Sequence, residues 1–254
     1  MTVLRVPYHL DEYLSELDLP LDPASCGPVR TITADMPAGD PWTRLTALYH
    51  QVADAVAAAA GQGTRPVVVS GDCTTSLGIV AGLQRAGLDP GIVWFDAHGD
   101  VQTPQTSASG YLGGMPLRIL TGYRPGLIAD GLGLRPVPEH RIVLAGARDL
   151  DPPEAAYLDG AAIGRAGITD LDLAALPDGP LYVHLDLDVI DPAFLPGLLN
   201  ATPGGVTPAE IAAALGRLVA TGRVAAVGIA CTWRPGQDDG ARIAPYLTDA
   251  LVNR

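Results

Sequence analysis

The sequence predicts an α/β protein: a three-layer αβα arrangement built on a central, mostly parallel sheet. Three observations predict it. Short β-rich apolar runs alternate with longer helical stretches along the chain. The runs are nearly continuous in apolar residues, which marks strands buried on both faces rather than on one. No internal repeat or low-complexity linker interrupts the series, so residues 1–254 are expected to form one domain with a single large core.

In chain order, VLRVPY (3–8) and VRTITA (29–34) are the first two expected strands, each a β-rich run closed by polar or turn-forming residues. WTRLTALYHQVADAVAAAA (42–60) follows as the longest expected helix, rich in alanine and leucine. PVVVS (66–70) is a strand leading into TTSLGIVAGLQRA (74–86), a helix, and GIVWF (91–95) is the next strand. A short helix near 115–121 precedes 122–139, a Gly- and Pro-rich stretch expected to be a surface loop. RIVLA (141–145), LYVHLDLD (181–188) and VAAVGIAC (224–231) complete the strands. PPEAAYL (152–158), TPAEIAAALGRLVA (207–220) and a last segment at 243–252 complete the helices.

The formal charge of −12 argues against nucleic acid or an anionic membrane surface as partner. No stretch reaches the ~18 to 20 apolar residues of a membrane span. The start, MTVLRVPYHLDEY, lacks the basic residues and apolar run of a secretory signal. Three widely spaced cysteines, Cys26, Cys73 and Cys231, do not make a disulfide framework, and a reducing cytoplasm is the expected location. The short end after the last helix, at Arg254, offers no arm to tie subunits together, so a monomer is slightly favoured over a homo-oligomer.

In parallel α/β sheets, chemistry collects beyond the carboxyl ends of the strands. Three strand ends here carry unusual residues: Gly71-Asp72-Cys73, then Asp96-Ala97-His98-Gly99-Asp100, then Asp186, Asp188 and Asp191-Pro192. Strand alternation puts His184, Asp186 and Asp188 on one side. Crowded carboxylates raise one another's pKa and resist burial, and divalent cations resolve that conflict. Four or five carboxylates with an imidazole are more charge than one ion needs, so two ions sharing bridging carboxylates are expected. A single Asp at a strand end is more often a turn former or helix cap; two clusters together favour metal.

These residues resemble the ureohydrolases, the arginase and agmatinase family of dinuclear manganese enzymes. WFDAHGD (94–100) resembles the family's DAHxD element, HLDLDVIDP (184–192) its DxDxxDP element, and SGDCTTS (70–76) stands in the place of its GGDHS turn. TSASGYLGGMP (106–116) and GARDLDPPE (146–154) extend the resemblance, which runs from about 66 to 235. It implies one ion held by Cys73, Asp96, Asp100 and Asp186, and another by Asp96, His98, Asp186 and Asp188. It also implies a metal-activated hydroxide that cleaves a guanidino carbon–nitrogen bond; Asp100 is a candidate catalytic group, as is His184, which strand alternation puts beside Asp186 and Asp188, placed to orient a ligand or move a proton. Cys73 replaces a histidine of the family pattern; its softer sulfur admits Zn2+ or Fe2+ beside the Mn2+ that the family implies.

Two further departures concern the substrate. The loop histidine of the family is Gly113 here, and the glutamate that contacts a guanidinium is replaced by Thr232. An amino-acid clamp is partly kept: Asp151 and Glu154 stand at positions for an α-amino group, Ser109 at one for an α-carboxylate, and Gln102 and Tyr111 where asparagines are usual. An N-hydroxylated guanidine is less basic, binds largely neutral and has less need of a carboxylate partner. The combination is similar to the branch of the family that converts Nω-hydroxy-L-arginine to L-ornithine and hydroxyurea in antibiotic biosynthesis. Trp233 and Cys231 flank the substrate end in this reading. His9, His50 and His140 carry no motif, and the first 60 residues add little. An arginase or agmatinase acting on unmodified guanidines, a one-zinc deacylase-like hydrolase on the same broad fold, and a non-catalytic binding protein on the same fold are the alternatives.

Overall fold

The computed structural model of the protein describes residues 1–234, 236–237 and 239–252. Arg254, on which the expectation of a monomer rests, is outside the described residues. Among the described residues ten strands form: β1 (Thr2–Val6), β2 (Tyr8–His9), β3 (Glu12–Tyr13), β4 (Val29–Thr31), β5 (Pro66–Ser70), β6 (Gly91–Phe95), β7 (Ile142–Ala145), β8 (Gly164–Ala166), β9 (Leu181–Asp186) and β10 (Val224–Ala230). The helices are α1 (Pro23–Cys26), α2 (Pro41–Gly61), α3 (Ser76–Arg85), α4 (Pro116–Leu120), α5 (Ala129–Leu132), α6 (Pro152–Gly160), α7 (Pro208–Ala220) and α8 (Gly240–Val252).

Eight strands make one sheet in the order β4-β1-β5-β10-β9-β6-β7-β8, and every pairing in it is parallel. β2 and β3 form a separate antiparallel hairpin. Alternate strand residues divide between two cores. Val68, Ile92, Trp94, Leu144 and Tyr182 pack with α2 and α3 on one face. Val67, Val69, Val93, Phe95, Val183 and Leu185 pack with α7 and α8 on the other. That division is the three-layer αβα architecture, and it explains why these strands lack a polar face. Among the described residues, no helix is long and apolar enough to cross a membrane.

Helix starts follow local chemistry. Asp40 accepts hydrogen bonds from the Trp42 and Thr43 amides and Pro41 occupies the first turn of α2. Thr207 and Glu210 reciprocate at the start of α7. Two boundaries differ from the sequence expectation where it matters. β9 stops at Asp186, and Leu187–Val189 form one 3-10 turn, with the Asp186 side chain accepting the Asp188 amide. Residues 122–139 are not plain loop, since they contain α5 and the 3-10 turn Pro125–Leu127.

Candidate metal centre

The four central strands β5, β10, β9 and β6 bring their carboxyl ends together. β5 leads through Gly71 into a 3-10 turn, Cys73–Thr75, whose start is fixed by Asp72: its carboxylate accepts the Thr74 amide at 2.8 Å and the Leu10 amide at 2.6 Å. Cys73 is thereby buried against Asp186, its Sγ lying 2.8 Å from Asp186 Oδ2. β6 delivers Asp96, whose Oδ1 accepts the His98 amide at 2.7 Å and whose Oδ2 accepts Trp94 Nε1 at 3.0 Å. β9 delivers Asp186, and the following turn aims Asp188 at His98 Nδ1, 3.0 Å away.

Asp96, Asp100, Asp186 and Asp188 are all buried. Asp100 sits at φ +53°, in the left-handed region that non-glycine residues seldom adopt, and its buried Oδ2 has no hydrogen-bond partner among the described residues. Burial, followed by the charges of Asp96 and Asp186, pushes the Asp100 carboxyl well above the usual carboxylate range. Burial and the charges of Asp188 and Asp96 do the same to Asp186. Asp188 is pushed up to about 6 by burial and Asp96, against the hydrogen bond from His98. Burial disfavours charge on His98, yet its hydrogen bonds to Asp188 and Asp96 outweigh that and push it up to about 12. Burial and the charges of Asp186, Asp100 and Asp96 hold the Cys73 thiol well above its ordinary value. Each of these directions says that the cluster demands positive charge.

Candidate donor atoms converge in two groups, each mutually within 4.8 Å: Cys73, Asp96 and His184, and Asp96, His98 and Asp188. A thiol, imidazoles, shared carboxylates and an orphaned buried carboxylate oxygen fit a pair of divalent cations. The turn geometry, rather than strand alternation, places Asp188; His98 and Asp100 likewise lie beyond the end of β6.

A cavity of about 270 Å³ opens onto this cluster. Cys73, His98, Asp100, Asp186 and Asp188 line it, together with the sequence-predicted Gln102, Ser109, Tyr111, Gly113, Asp151, Glu154 and Thr232. Several of these are already engaged. Gln102 Nε2 donates to Asp151 Oδ2 at 2.8 Å. Glu154 accepts the Asp151 and Val101 amides at the start of α6, the helix-capping alternative for this segment. Thr232 donates its hydroxyl to the Gly71 carbonyl at 2.7 Å. Ser109 is exposed and accepts the Tyr111 amide at 3.2 Å. Asp96 and His184 lie behind the cavity rather than on its wall, and Trp233 and Cys231 are not among its lining residues.

Sequence reasoning missed four contributors. Asn200 lines the cavity, and Thr202 Oγ1 is 3.5 Å from His98 Nε2. Arg148 holds that loop in place by donating to the Asp188 and Thr202 carbonyls at 3.0 and 2.6 Å. His9 stacks on Tyr111 with ring centroids 5.7 Å apart, so the first 60 residues supply support to a cavity wall. Asn200 and Thr202 come from a loop whose one signal is the run of turn formers around 200–205, His9 from the short strand β2, and Arg148 from GARDLDPPE, where the carboxylates alone drew notice.

The Arginase family model matches residues 11–244 of this sequence. The chain belongs to the arginase family. An arginase of Eremothecium gossypii is 34% identical over 199 residues, 71% of this chain and 49% of the relative. The chain spans about half the length of the relatives it matches. The crystal structure of the Bacillus cereus arginase superimposes with a TM-score of 0.81 at 23% identity, covering 99% of this chain and 97% of that one. That of the Entamoeba histolytica arginase with L-ornithine gives 0.81 at 19% identity, covering 98% and 97%. At such identities these two structures speak for the arginase fold alone.

Proposed function

We propose that the chain works as one catalytic domain, a dinuclear-metal amidinohydrolase that adds water across a guanidino-type carbon–nitrogen bond. The substrate proposed is Nω-hydroxy-L-arginine, and the products are L-ornithine and hydroxyurea. The observation that carries the substrate choice is the accounting of carboxylates around the cavity. Asp100, Asp186 and Asp188 belong to the metal cluster, and Glu154 is engaged by two backbone amides. Among the described lining residues, Asp151, which also accepts Gln102 Nε2, is the carboxylate left to meet a cationic group, and Thr232 presents a hydroxyl that is already donated to Gly71. A guanidinium would be buried without a counter-charge, whereas a weakly basic hydroxyguanidine enters neutral. Asp151 then suits the α-amino group and Ser109 the α-carboxylate. A cavity of about 270 Å³ is small enough to suit one amino-acid-sized molecule.

Cys73, Asp96, Asp100 and Asp186 would hold one divalent cation and Asp96, His98, Asp186 and Asp188 the other, and such a pair supplies water activation at neutral pH. Asp100, on the cavity wall with a free carboxylate oxygen, is suited to accept the proton of the attacking water and return it to the departing ornithine nitrogen. Burial, then the charges of Asp72 and Cys73, push the Tyr111 phenol upward, so it stays protonated on the cavity wall and is available to donate a hydrogen bond to a bound substrate.

The test is ornithine release by manganese-loaded protein from Nω-hydroxy-L-arginine, L-arginine and agmatine. Turnover of the hydroxylated substrate at a kcat/KM at least about a hundredfold above that of arginine supports the proposal. Equal or better turnover of arginine favours the second reading, an arginase acting on the unmodified guanidine, which the name of the Eremothecium relative supports. If no substrate is cleaved and Asp96→Asn leaves metal content unchanged, the chain is a binding protein on this fold.

A further inference from the structure

We infer that His184 is an inner ligand of the cation beside Cys73, and that this half of the centre is a sulfur–nitrogen–oxygen site for zinc, cobalt or iron. The half around His98 has no sulfur donor. The inference rests on the dinuclear reading above and deepens it.

His184 is 1% exposed and its Nε2 has no hydrogen-bond partner among the described residues. The rest of the ring is held on every side. Nδ1 lies 3.0 Å from Ser76 Oγ and 3.3 Å from Tyr182 Oη, and those two hydroxyls are 2.7 Å apart. Trp94, its register partner on β6, stacks on the imidazole at 3.7 Å between centroids and 25° between planes. On β10, its other neighbour is Gly228, where any Cβ would overlap the Tyr182 hydroxyl. The ring is therefore fixed by hydroxyls at one nitrogen and leaves the other bare.

A bare nitrogen buried beside carboxylates is unfavourable in either tautomer. With the proton on Nδ1, the Nε2 lone pair faces other acceptors; with the proton on Nε2, a donor lies buried without a partner. A cation between Nε2, Cys73 Sγ and Asp96 removes both penalties. A ring nitrogen of His184, the Cys73 sulfur and an Asp96 oxygen lie within 4.8 Å of one another. Around one tetrahedral zinc-like ion, at about 2.0 to 2.3 Å per bond, such donors stand roughly 3.3 to 3.8 Å apart, so a closure of no more than about 1 Å per donor forms the site. Hydroxyl groups bonded to the opposite ring nitrogen are the usual kind of support for a ligating imidazole. Thiolate plus imidazole favours borderline cations, while Asp96, His98 and Asp188 offer two carboxylates and one imidazole, a set that accepts manganese. The two halves of the centre thus differ in preference.

The test uses the full chain, stripped with a chelator and reloaded with Co2+. X-ray absorption at the cobalt edge counts sulfur and imidazole neighbours, and a thiolate-to-cobalt charge-transfer band in the near ultraviolet follows the Cys73 half. Two cobalt ions with two imidazoles and one sulfur between them are expected. His184→Gln should remove one imidazole, lower cobalt affinity at the half that carries the thiolate band at least tenfold, and leave manganese uptake at the other half within twofold. His184→Asn is the second variant, with circular dichroism as the check on folding. An unchanged imidazole count in a folded variant, or a single imidazole in the wild type, overturns the assignment. Two imidazoles in a protein that hydrolyses no guanidine would keep the ligand and discard the hydrolase reading, so the two failures are distinguishable.

Discussion

Gly113 and Tyr111 share one space. A Cβ built at Gly113 would overlap the Tyr111 ring, and that ring is braced from outside by His9. The missing loop side chain and the tyrosine two residues before it are therefore one change, not two. Gly113→His should destabilise the protein by about 1–3 kcal/mol through overpacking, and Tyr111→Asn in the same chain should recover most of it. Thermal melts of the three variants check this, and a Gly113→His protein as stable as wild type would mean the ring does not hold that volume. Tyr111→Phe keeps the ring and removes the donor. Its kcat on the hydroxylated substrate should fall about a hundredfold, the lower end of what losing one preorganised hydrogen-bond donor costs, with KM nearly constant. A raised KM at unchanged kcat would reduce Tyr111 to a binding contact. At this scale the convergence of Cys73, Asp96, His98, Asp100, Asp186 and Asp188 is legible in the sequence, because all of them lie at or just beyond the ends of apolar strand runs. Tyr111's volume and the contact of His9 are not, because both depend on how two loops pack.

The strands closest to expectation are those buried on both faces. PVVVS and GIVWF fall on β5 and β6 as read, since a continuous apolar run bounded by turn residues has one reading in an alternating chain. β8 escaped notice because Gly164–Ala166 is a three-residue edge strand with two exposed residues and no apolar pattern. The β2–β3 hairpin has two residues per strand, too few for a pattern, and Tyr8 of β2 lies within the run VLRVPY expected as one strand. β9 is shorter than the run LYVHLDLD, because the Asp186 carboxylate captures the Asp188 amide and turns the chain where the alternation alone would continue. β10 carries the element-scale prediction. Gly228 leaves room for the Tyr182 hydroxyl, so Gly228→Ala should push that hydroxyl off Ser76 and cost about 1–3 kcal/mol. Urea unfolding measures it, and Gly228→Ala in a Tyr182→Phe background should cost clearly less. Equal costs in both backgrounds would show that the strand, not the hydroxyl, resents the methyl.

Across the whole molecule, stability and chemistry oppose each other at one place. The sheet converges four buried carboxylates at the ends of its central strands, and both cores beneath them are apolar, so nothing from within the layers offsets their charge. Without cations these groups repel, and their pKa values rise or are rescued only by His98. Chelation should therefore lower the melting temperature reversibly. One cation a hundredfold above its dissociation constant adds about 2.7 kcal/mol, which at about 2–4 °C per kcal/mol for a chain of this size is roughly 5–11 °C. Asp100→Asn separates this from generic metal binding, because it removes a charge that has no hydrogen-bond partner at Oδ2. In the chelated protein the variant should melt above wild type, as a like charge is lost. With cations it should melt below wild type, as a ligand is lost. The order of the two melting temperatures should thus invert on adding metal. A variant less stable than wild type in both conditions would mean that Asp100 serves the loop at its left-handed turn rather than the cations, and the cluster would then have to be redrawn without it.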